Sequence, residues 1–295
     1  MVSGGQIMTV TAPERQFDDG LTDRFPPDLY EPTGVVTGVD GFDAVSDAHV
    51  AQFHEQGFLI VENAFTAHEV QVALDGLFHL LSGEVEEFNG VQYERASADV
   101  AVEEMPLEEK QDYVRKFMSF VDYDERLNEL AHHPLLLALV ERLIGDSPVL
   151  FQSMALLKPP RLGRDKPWHQ DAAYFQIELD AKVVGCWIAL DEATIENGCM
   201  VIAPGSHLKG PVVHFRRRDW QICDTDVDNS GAMAVPLKPG GLLIFQSLLH
   251  HGTPPNQTGS RRRALQFHYR PQSAPLTSQE ERLAIFGGEG LGAEC

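Results

Sequence analysis

The chain has 295 residues, of which 43% are hydrophobic, and this is enough for one large core or two smaller ones. Its net charge of -21 opposes binding to nucleic acid phosphates and to anionic membrane surfaces. The chain begins without a basic and apolar leader, contains no apolar run of about 18 residues, and has four scattered cysteines without a CxxC pair, so we expect a cytoplasmic protein with reduced thiols and no membrane span.

The N-terminal residues predict little regular structure. Residues 1–45 are rich in Gly, Pro, Asp and Thr without a sustained period, which indicates a partly ordered N-terminal extension. We expect a single domain over residues 46–295. Its helical N-terminal part, residues 46–148, opens with a short helix over 48–56 and a buried strand over 58–65.

Two further helices are predicted in this part. Thr66 is followed three residues later by a glutamate, which matches a capping box and starts a helix that runs to about residue 81. Residues 124–145 have helical spacing with an interruption at Pro134. Residues 113–120 fit either a helix or a strand.

From residue 149 the pattern changes to short apolar or alternating segments divided by Gly, Pro and Asn turns. Such a series is typical of a sandwich or a barrel. The sequence therefore predicts a mainly β fold with flanking helices and a β core over residues 149–275. The segments of the core include VVGCWIALDEA, LLIFQSLLHHG and RALQFHYRP.

One pair of residues has the spacing of metal ligands. His169 and Asp171 lie two apart in PWHQDAAYF, and in an extended segment residues two apart point to the same side. A third ligand is offered by His250 or His251 about 80 residues downstream. These two face opposite sides of a strand, and we prefer His251 because it stands directly before Gly252. Two histidines and one carboxylate form the site of non-haem iron(II) oxygenases, which leaves positions open for a 2-oxo acid and O₂.

A co-substrate such as 2-oxoglutarate also requires a cation for its distal carboxylate. A guanidinium gives a bidentate, charge-assisted pair with a carboxylate. The segment GSRRRALQF offers Arg261, Arg262 and Arg263 at the start of a strand. Alternation puts Arg262 on one side and the other two on the opposite side, although an ordinary basic turn has the same composition.

These segments together resemble the phytanoyl-CoA dioxygenase (PhyH-like) family of iron(II)/2-oxoglutarate-dependent oxygenases, over roughly residues 53–271. The HxD pair, an ENG turn, a PGSH turn and the ending HGTPPN…R occur in the order typical of the family. The resemblance implies a double-stranded β-helix (jelly-roll, cupin-like) core.

The resemblance also implies site residues and cofactors. His169, Asp171 and His251 match the iron(II) ligands, and Arg262 matches the arginine that pairs with the distal carboxylate of 2-oxoglutarate. O₂ is the second co-substrate, and ascorbate is expected to stimulate turnover. Trp187 matches an aromatic residue beside the co-substrate, although a core tryptophan is an alternative. The remaining positions matched to the co-substrate pocket are Thr253, Met154, Gln170 and Lys116.

The reaction implied is oxidation, by default hydroxylation, of an unactivated C–H bond of a small molecule, with succinate and CO₂ as co-products. Two alternatives are a cupin-type metalloenzyme without 2-oxoglutarate and a non-catalytic jelly-roll protein that binds a small molecule. Three arginines at 216–218 suggest an anionic substrate such as a natural-product intermediate, an amino acid or an acyl thioester. The same arginines could instead pair with neighbouring aspartates within the segment 208–231.

Overall fold

The computed structural model describes residues 15–17 and 24–287. The α-helices in these ranges are α1 (Asp47–Gln56), α2 (Ala67–Ser82), α3 (Leu107–Lys110), α4 (Glu125–Ala131), α5 (Pro134–Ile144) and α6 (Gln279–Phe286). The strands are β1 (Gln16–Phe17), β2 (Gly34–Val35), β3 (Val39–Asp40), β4 (Phe58–Glu62), β5 (Val91–Tyr93), β6 (Val114–Met118), β7 (Pro148–Lys158), β8 (Lys166–His169), β9 (Val184–Ala189), β10 (Met200–Ile202), β11 (His214–Arg216), β12 (Trp220–Ile222), β13 (Met233–Val235), β14 (Leu242–Gln246), β15 (His251–Thr253) and β16 (Arg262–Pro271).

Most strands belong to two sheets that face each other. Among the described residues the larger sheet has nine strands in the order β1-β5-β6-β7-β16-β9-β14-β4-β3, and the smaller has five in the order β2-β13-β10-β15-β8. Apolar side chains of both sheets meet in one core cluster, with Leu243 and Trp187 from the larger sheet and Ile202 from the smaller. The predicted mainly β, jelly-roll fold with flanking helices is confirmed.

The larger sheet separates two cores, because successive side chains of a strand point to opposite faces. On β9, Trp187 faces the smaller sheet, whereas Ile188 packs in the cluster that α2, α4 and α5 cover. The last strand, β16, repeats the pattern, with Ala264 inward and Leu265 outward. Even-numbered residues at the start of β16 therefore point between the sheets.

The predicted helices of the N-terminal part are present. Thr66 caps α2 through a hydrogen bond from the backbone N–H of Glu69, whose side chain accepts in return from Thr66 N. Pro134 is the first residue of α5, where its missing N–H costs no helical hydrogen bond, so the interrupted segment forms the two helices α4 and α5. The ambiguous segment 113–120 contains a strand, β6.

The segment LLIFQSLLHHG differs from the single strand that its apolar pattern predicts. β14 ends at Gln246, and the chain turns over residues 247–250 before β15 starts at His251 in the other sheet. The turn is stabilised by the side chain of Gln246, which accepts a hydrogen bond from Leu248 N at 2.6 Å. His251 thereby lies opposite His169, its pairing partner on β8.

Residues 24–36, part of the segment predicted as an irregular extension, pack against the smaller sheet, whereas β3 joins the larger one. Tyr30 is buried and stacks parallel to Trp168 of β8, and the indole N–H of Trp168 donates to the carbonyl of Leu29 at 2.9 Å. A Cβ at Gly252 would lie 3.2 Å from the ring of Tyr30. This close approach explains a glycine directly after His251.

The expectation of reduced thiols holds for Cys186 and Cys199, which are free and buried. It is wrong for Cys223, which is disulfide-bonded, since spacing along a sequence does not reveal which cysteines meet in space. Cys295 lies outside the described residues. No helix within the described part of the chain combines the length and the apolar character needed to span a bilayer.

Candidate metal centre

Three side chains predicted as ligands converge at one end of the smaller sheet. His169 is the last residue of β8, Asp171 opens the 3-10 turn that follows, and His251 is the first residue of β15. Their ligand atoms all lie within 4.8 Å of one another, and all three side chains are buried. The pairing of β8 with β15 brings together residues that are about 80 positions apart in the sequence.

Both imidazoles are oriented by the backbone. Nδ1 of His169 lies 2.8 Å from the carbonyl of Pro167, and Nδ1 of His251 lies 2.9 Å from that of Leu249. A carbonyl only accepts, so Nδ1 carries the proton in each ring and the Nε2 lone pair is available to a metal. Burial, together with the neighbouring imidazole of His169, lowers the pKa of His251 to about 3, so the His251 imidazole is neutral.

The carboxylate completes a set of atoms that suits a cation. Oδ1 of Asp171 lies 3.2 Å from Nε2 of His169 and 3.6 Å from Nε2 of His251. Burial raises the pKa of Asp171, but the neighbouring imidazoles of His251 and His268 outweigh this effect and hold the pKa well below its ordinary value. Two imidazole lone pairs and an ionised carboxylate oxygen pointing at one another fit a divalent metal ion, and this is the donor set of non-haem iron(II) sites.

A cavity of about 180 Å³ opens beside these three side chains. By the same measure one water molecule needs about 10–15 Å³, so the cavity has room for a small organic molecule. Its walls combine apolar side chains with an unusual number of cations. The lining cations are Arg115, Lys116, Lys158, Arg164, Lys166 and Arg262.

Arg262 lines this cavity with its guanidinium incompletely paired. The side chain is 2% exposed, and one of its terminal nitrogens donates to the carbonyl of Leu156 at 3.2 Å. Its Nε and the indole Nε1 of Trp187 are buried without a hydrogen-bond partner among the described residues. Burial lowers the pKa of Arg262 to about 10. A buried cation with an unsatisfied donor fits the carboxylate of a bound acid.

Four other predicted co-substrate residues also line the cavity: Thr253, Trp187, Met154 and Lys116. Trp187 is fully buried and lies beneath Arg262, with the guanidinium 5.5 Å from its ring centre. Both interpretations of Trp187, as a core residue and as a cavity wall, therefore apply. Sequence reasoning did not single out Lys158, which is 3% exposed and donates to the carbonyl of Arg164 at 2.6 Å.

Gln170 is not among the residues that line the cavity. Its side-chain amide donates to the carbonyls of Gly210 and Leu248 and accepts from the backbone N–H of Val212. Gln170 therefore connects the ligand segment to the loop that begins at residue 208. The same alternation that places His169 and Asp171 on one side directs Gln170 to the other.

His250 lies outside the ligand cluster, and one arginine of the 216–218 group has partners other than a substrate. His250 is half-buried, donates through its backbone N–H to Ser206 Oγ, and does not belong to the ligand cluster. Arg218 is buried and pairs with Asp165 at 3.1 Å and Asp224 at 2.5 Å. Its pairing with aspartates agrees with the structural interpretation of the cluster and leaves Arg218 unavailable to a substrate.

Two polar residues beside the ligands were missed by sequence reasoning. Gln266 and His268 lie on β16, and both contact Oδ2 of Asp171. They share a face with Arg262, because residues four and six positions further along a strand point the same way. Extending the alternation from Arg262 along the strand would have found them.

Comparison with known proteins agrees with this geometry. Residues 53–264 match the family model described as Phytanoyl-CoA dioxygenase (PhyH). A rat protein named phytanoyl-CoA dioxygenase domain-containing protein 1 is 26% identical over 260 residues, which cover 76% of this chain and 89% of the rat protein.

Two solved structures are similar in fold. EvdO2 from Micromonospora carbonacea var. aurantiaca, complexed with 2-oxoglutarate, is 24% identical with a TM-score of 0.61, and the match covers 85% of this chain and 99% of that one. The epimerase SnoN, in complex with Fe³⁺, α-ketoglutarate and nogalamycin RO, is 22% identical with a TM-score of 0.62 and covers 79% and 86%. At these identities the likeness is one of fold.

Proposed function

We propose a reaction for this chain from the premise that it belongs to the phytanoyl-CoA dioxygenase (PhyH) family. The chain is an iron(II)- and 2-oxoglutarate-dependent dioxygenase that uses O₂. The proposed reaction is oxidation, by default hydroxylation, of an unactivated C–H bond of a small molecule, with release of succinate and CO₂. Iron(II), with 2-oxoglutarate and O₂, supplies the oxidising power, which protein side chains lack.

His169, Asp171 and His251 are proposed to hold the iron. The protein fixes both imidazole rings through Nδ1 and keeps His251 neutral, so the Nε2 atoms are ready to bind a cation without losing a proton. Three protein ligands leave the remaining positions to the co-substrate and O₂. All three residues are at most 5% exposed, which limits access of bulk water to the centre.

The co-substrate is proposed to lie between the metal centre and Arg262. The guanidinium would receive the distal carboxylate, with the hydroxyl of Thr253 as a second donor. Met154 and Trp187 would provide the apolar wall along the carbon chain, and Lys116 a further cation. The observation that carries this proposal is the presence, in one cavity, of a two-histidine, one-carboxylate cluster and a buried arginine with an unsatisfied donor.

The substrate is proposed to be a free small molecule. The cavity continues past the metal ligands to the apolar side chains Met118 and Phe175 and to the ion pair of Lys166 with Asp219, whose charges are 2.5 Å apart. Asp219 belongs to the 208–231 segment, so this segment contributes to the wall where a substrate would enter. A net charge of -21 disfavours a polyphosphate carrier such as coenzyme A.

The first experiment separates this function from its alternatives. Purified protein with iron(II), ascorbate and 2-oxoglutarate should form succinate slowly without substrate, and under anaerobic conditions it should show a visible metal-to-ligand absorption band. A mass-spectrometric screen of candidate substrates should then find a product heavier by one oxygen atom. A bound metal without the 2-oxoglutarate-dependent band would favour a cupin-type enzyme, and absence of both metal and 2-oxo acid binding would favour a non-catalytic binding protein.

A further inference from the structure

The two oxygens of the Asp171 carboxylate face different neighbours. Oδ1 lies nearest the two imidazole Nε2 atoms, at 3.2 Å and 3.6 Å. Oδ2 points the other way, 2.8 Å from Nε2 of His268 and 3.2 Å from the amide nitrogen of Gln266. Because an ionised carboxylate only accepts, both neighbours act as donors to Oδ2.

We propose that His268, together with Gln266, is a positioning residue that holds Oδ2 so that Asp171 offers the metal only Oδ1. This rests on the proposed function of His169, Asp171 and His251 as metal ligands. A carboxylate bound through one oxygen takes one coordination position rather than two. His268 thereby preserves the positions that a bidentate 2-oxo acid and O₂ require.

The surroundings of His268 favour a single role for its imidazole, the hydrogen bond to Asp171. The side chain is fully buried, and its ring lies 4.9 Å from that of Phe175 and 6.0 Å from that of Phe151, measured between ring centres. Its Nδ1 has no partner among the described residues. Burying a polar ring among phenyl groups is unfavourable unless it gains a hydrogen bond, and its bond to Asp171 is charge-assisted.

The position of His268 is fixed by the sheet as well as by packing. It lies on β16 between β7 and β9, where it pairs with Gln152 on one side and Gly185 on the other. Gln266 is also buried, and its amide nitrogen lies 3.0 Å from Nε2 of His268, so two donors converge on one oxygen. A rigid central strand therefore sets the orientation of a ligand that itself stands at the start of a turn.

The test measures metal binding without turnover, with Co(II) as the probe. Calorimetry gives the affinity for Co(II), and the visible spectrum of the bound Co(II) reports its coordination. His268→Phe keeps an aromatic ring in the aromatic pocket and removes the donor. His268→Gln places an amide nitrogen near the position of Nε2 and should restore most of the affinity. Tyr269→Phe is the matched control, because it removes a buried hydrogen bond, to the carbonyl of Ala131, from the next residue of the same strand.

We expect His268→Phe to weaken Co(II) binding about 10–100-fold, as loss of a partner of a metal ligand typically does, and to change the Co(II) spectrum. Tyr269→Phe should leave both unchanged. Equal Co(II) affinity and equal spectra in wild type and His268→Phe would overturn the proposal while leaving the metal centre intact. If wild type bound no Co(II), the proposed metal centre itself would fail.

A second variant keeps the test decisive if His268→Phe does not fold. Gln266→Leu removes the other donor to Oδ2 with little change of volume, and its thermal unfolding without metal reports whether the core is intact. We expect a folded protein with weakened Co(II) binding. A folded Gln266→Leu protein with wild-type Co(II) affinity and spectrum would contradict the shared role of the two residues.

Discussion

Arg262→Met should make the ligand-free protein more stable while abolishing its response to 2-oxoglutarate. Burial lowers the pKa of Arg262 from its ordinary value to about 10. At about 1.36 kcal/mol per pKa unit, the charged form is disfavoured by about 3 kcal/mol in the folded state. The hydrogen bond to Leu156 and the contact with Trp187 offset about 1–2 kcal/mol of this. Replacement by an apolar side chain should therefore stabilise the protein by about 1–2 kcal/mol.

Urea unfolding at neutral pH, with and without Co(II) and 2-oxoglutarate, measures both effects. At 2-oxoglutarate about 100-fold above its dissociation constant, the wild type should gain about 2.7 kcal/mol over Co(II) alone, and Arg262→Met should gain almost nothing. Arg263→Met is the matched control. The guanidinium of Arg263 points to the opposite face and pairs with Asp191 at 2.7 Å, so this variant should lose stability and keep the response.

Either of two results would refute this reasoning. Arg262→Met could prove less stable than wild type without ligand, which would mean that the guanidinium is already satisfied. The variant could also gain as much stability as wild type from 2-oxoglutarate, which would mean that another of the lining cations binds the distal carboxylate.

Asp171→Ala should abolish turnover and weaken Co(II) binding, as measured by titration; full turnover would remove Asp171 from the ligand set. Lys158→Met should stabilise the protein near neutral pH, because burial lowers the pKa of Lys158 in the folded state. A base with a lowered pKa costs stability only while it is protonated in the unfolded state. The gain in free energy of unfolding, measured with urea, should therefore shrink as the pH rises towards 10.5. A gain independent of pH would contradict this. Arg218→Met should destabilise the protein by about 3–5 kcal/mol, since it leaves Asp165 and Asp224 buried without their cation. Arg95→Met, at an exposed position, should stay within about 0.5 kcal/mol of wild type in the same assay.

The sequence allowed prediction of the features that depend on local periodicity. The capping box at Thr66 and the break at Pro134 follow from patterns within a few residues. The series of short strands predicted a sandwich or a barrel, and the family resemblance implied the jelly-roll core. Alternation also placed His169 and Asp171 on one side, and the structure brings them to His251. The same rule directs the side chain of Gln170 away from the cavity. The family resemblance had placed Gln170 in the co-substrate pocket, and the alternation within PWHQDAAYF already argued against that position.

Other features depend on contacts between distant segments. The turn at residues 247–250, which carries His251 into the smaller sheet, contains no glycine, proline or asparagine that would mark it in the sequence. Arg218 and Asp165 are 53 positions apart, and nothing local shows that they pair. The contact of His268 with Asp171 spans 97 positions, although the alternation that places Arg262 inside indicates which residues of β16 could reach the ligands.

The packing of Tyr30 on Trp168 indicates that the folded catalytic domain includes residues upstream of the family match. The family match begins at residue 53, yet Leu29 and Tyr30 cover the reverse side of the strand that ends in His169, and Tyr30 donates to Asp165 at 2.7 Å. A version of the protein trimmed to the family boundary would leave that strand uncovered and would remove the Tyr30 hydroxyl, one of the donors to Asp165. Expression trials should therefore retain the chain from residue 24 onward, well upstream of the point at which homology alone would place the start.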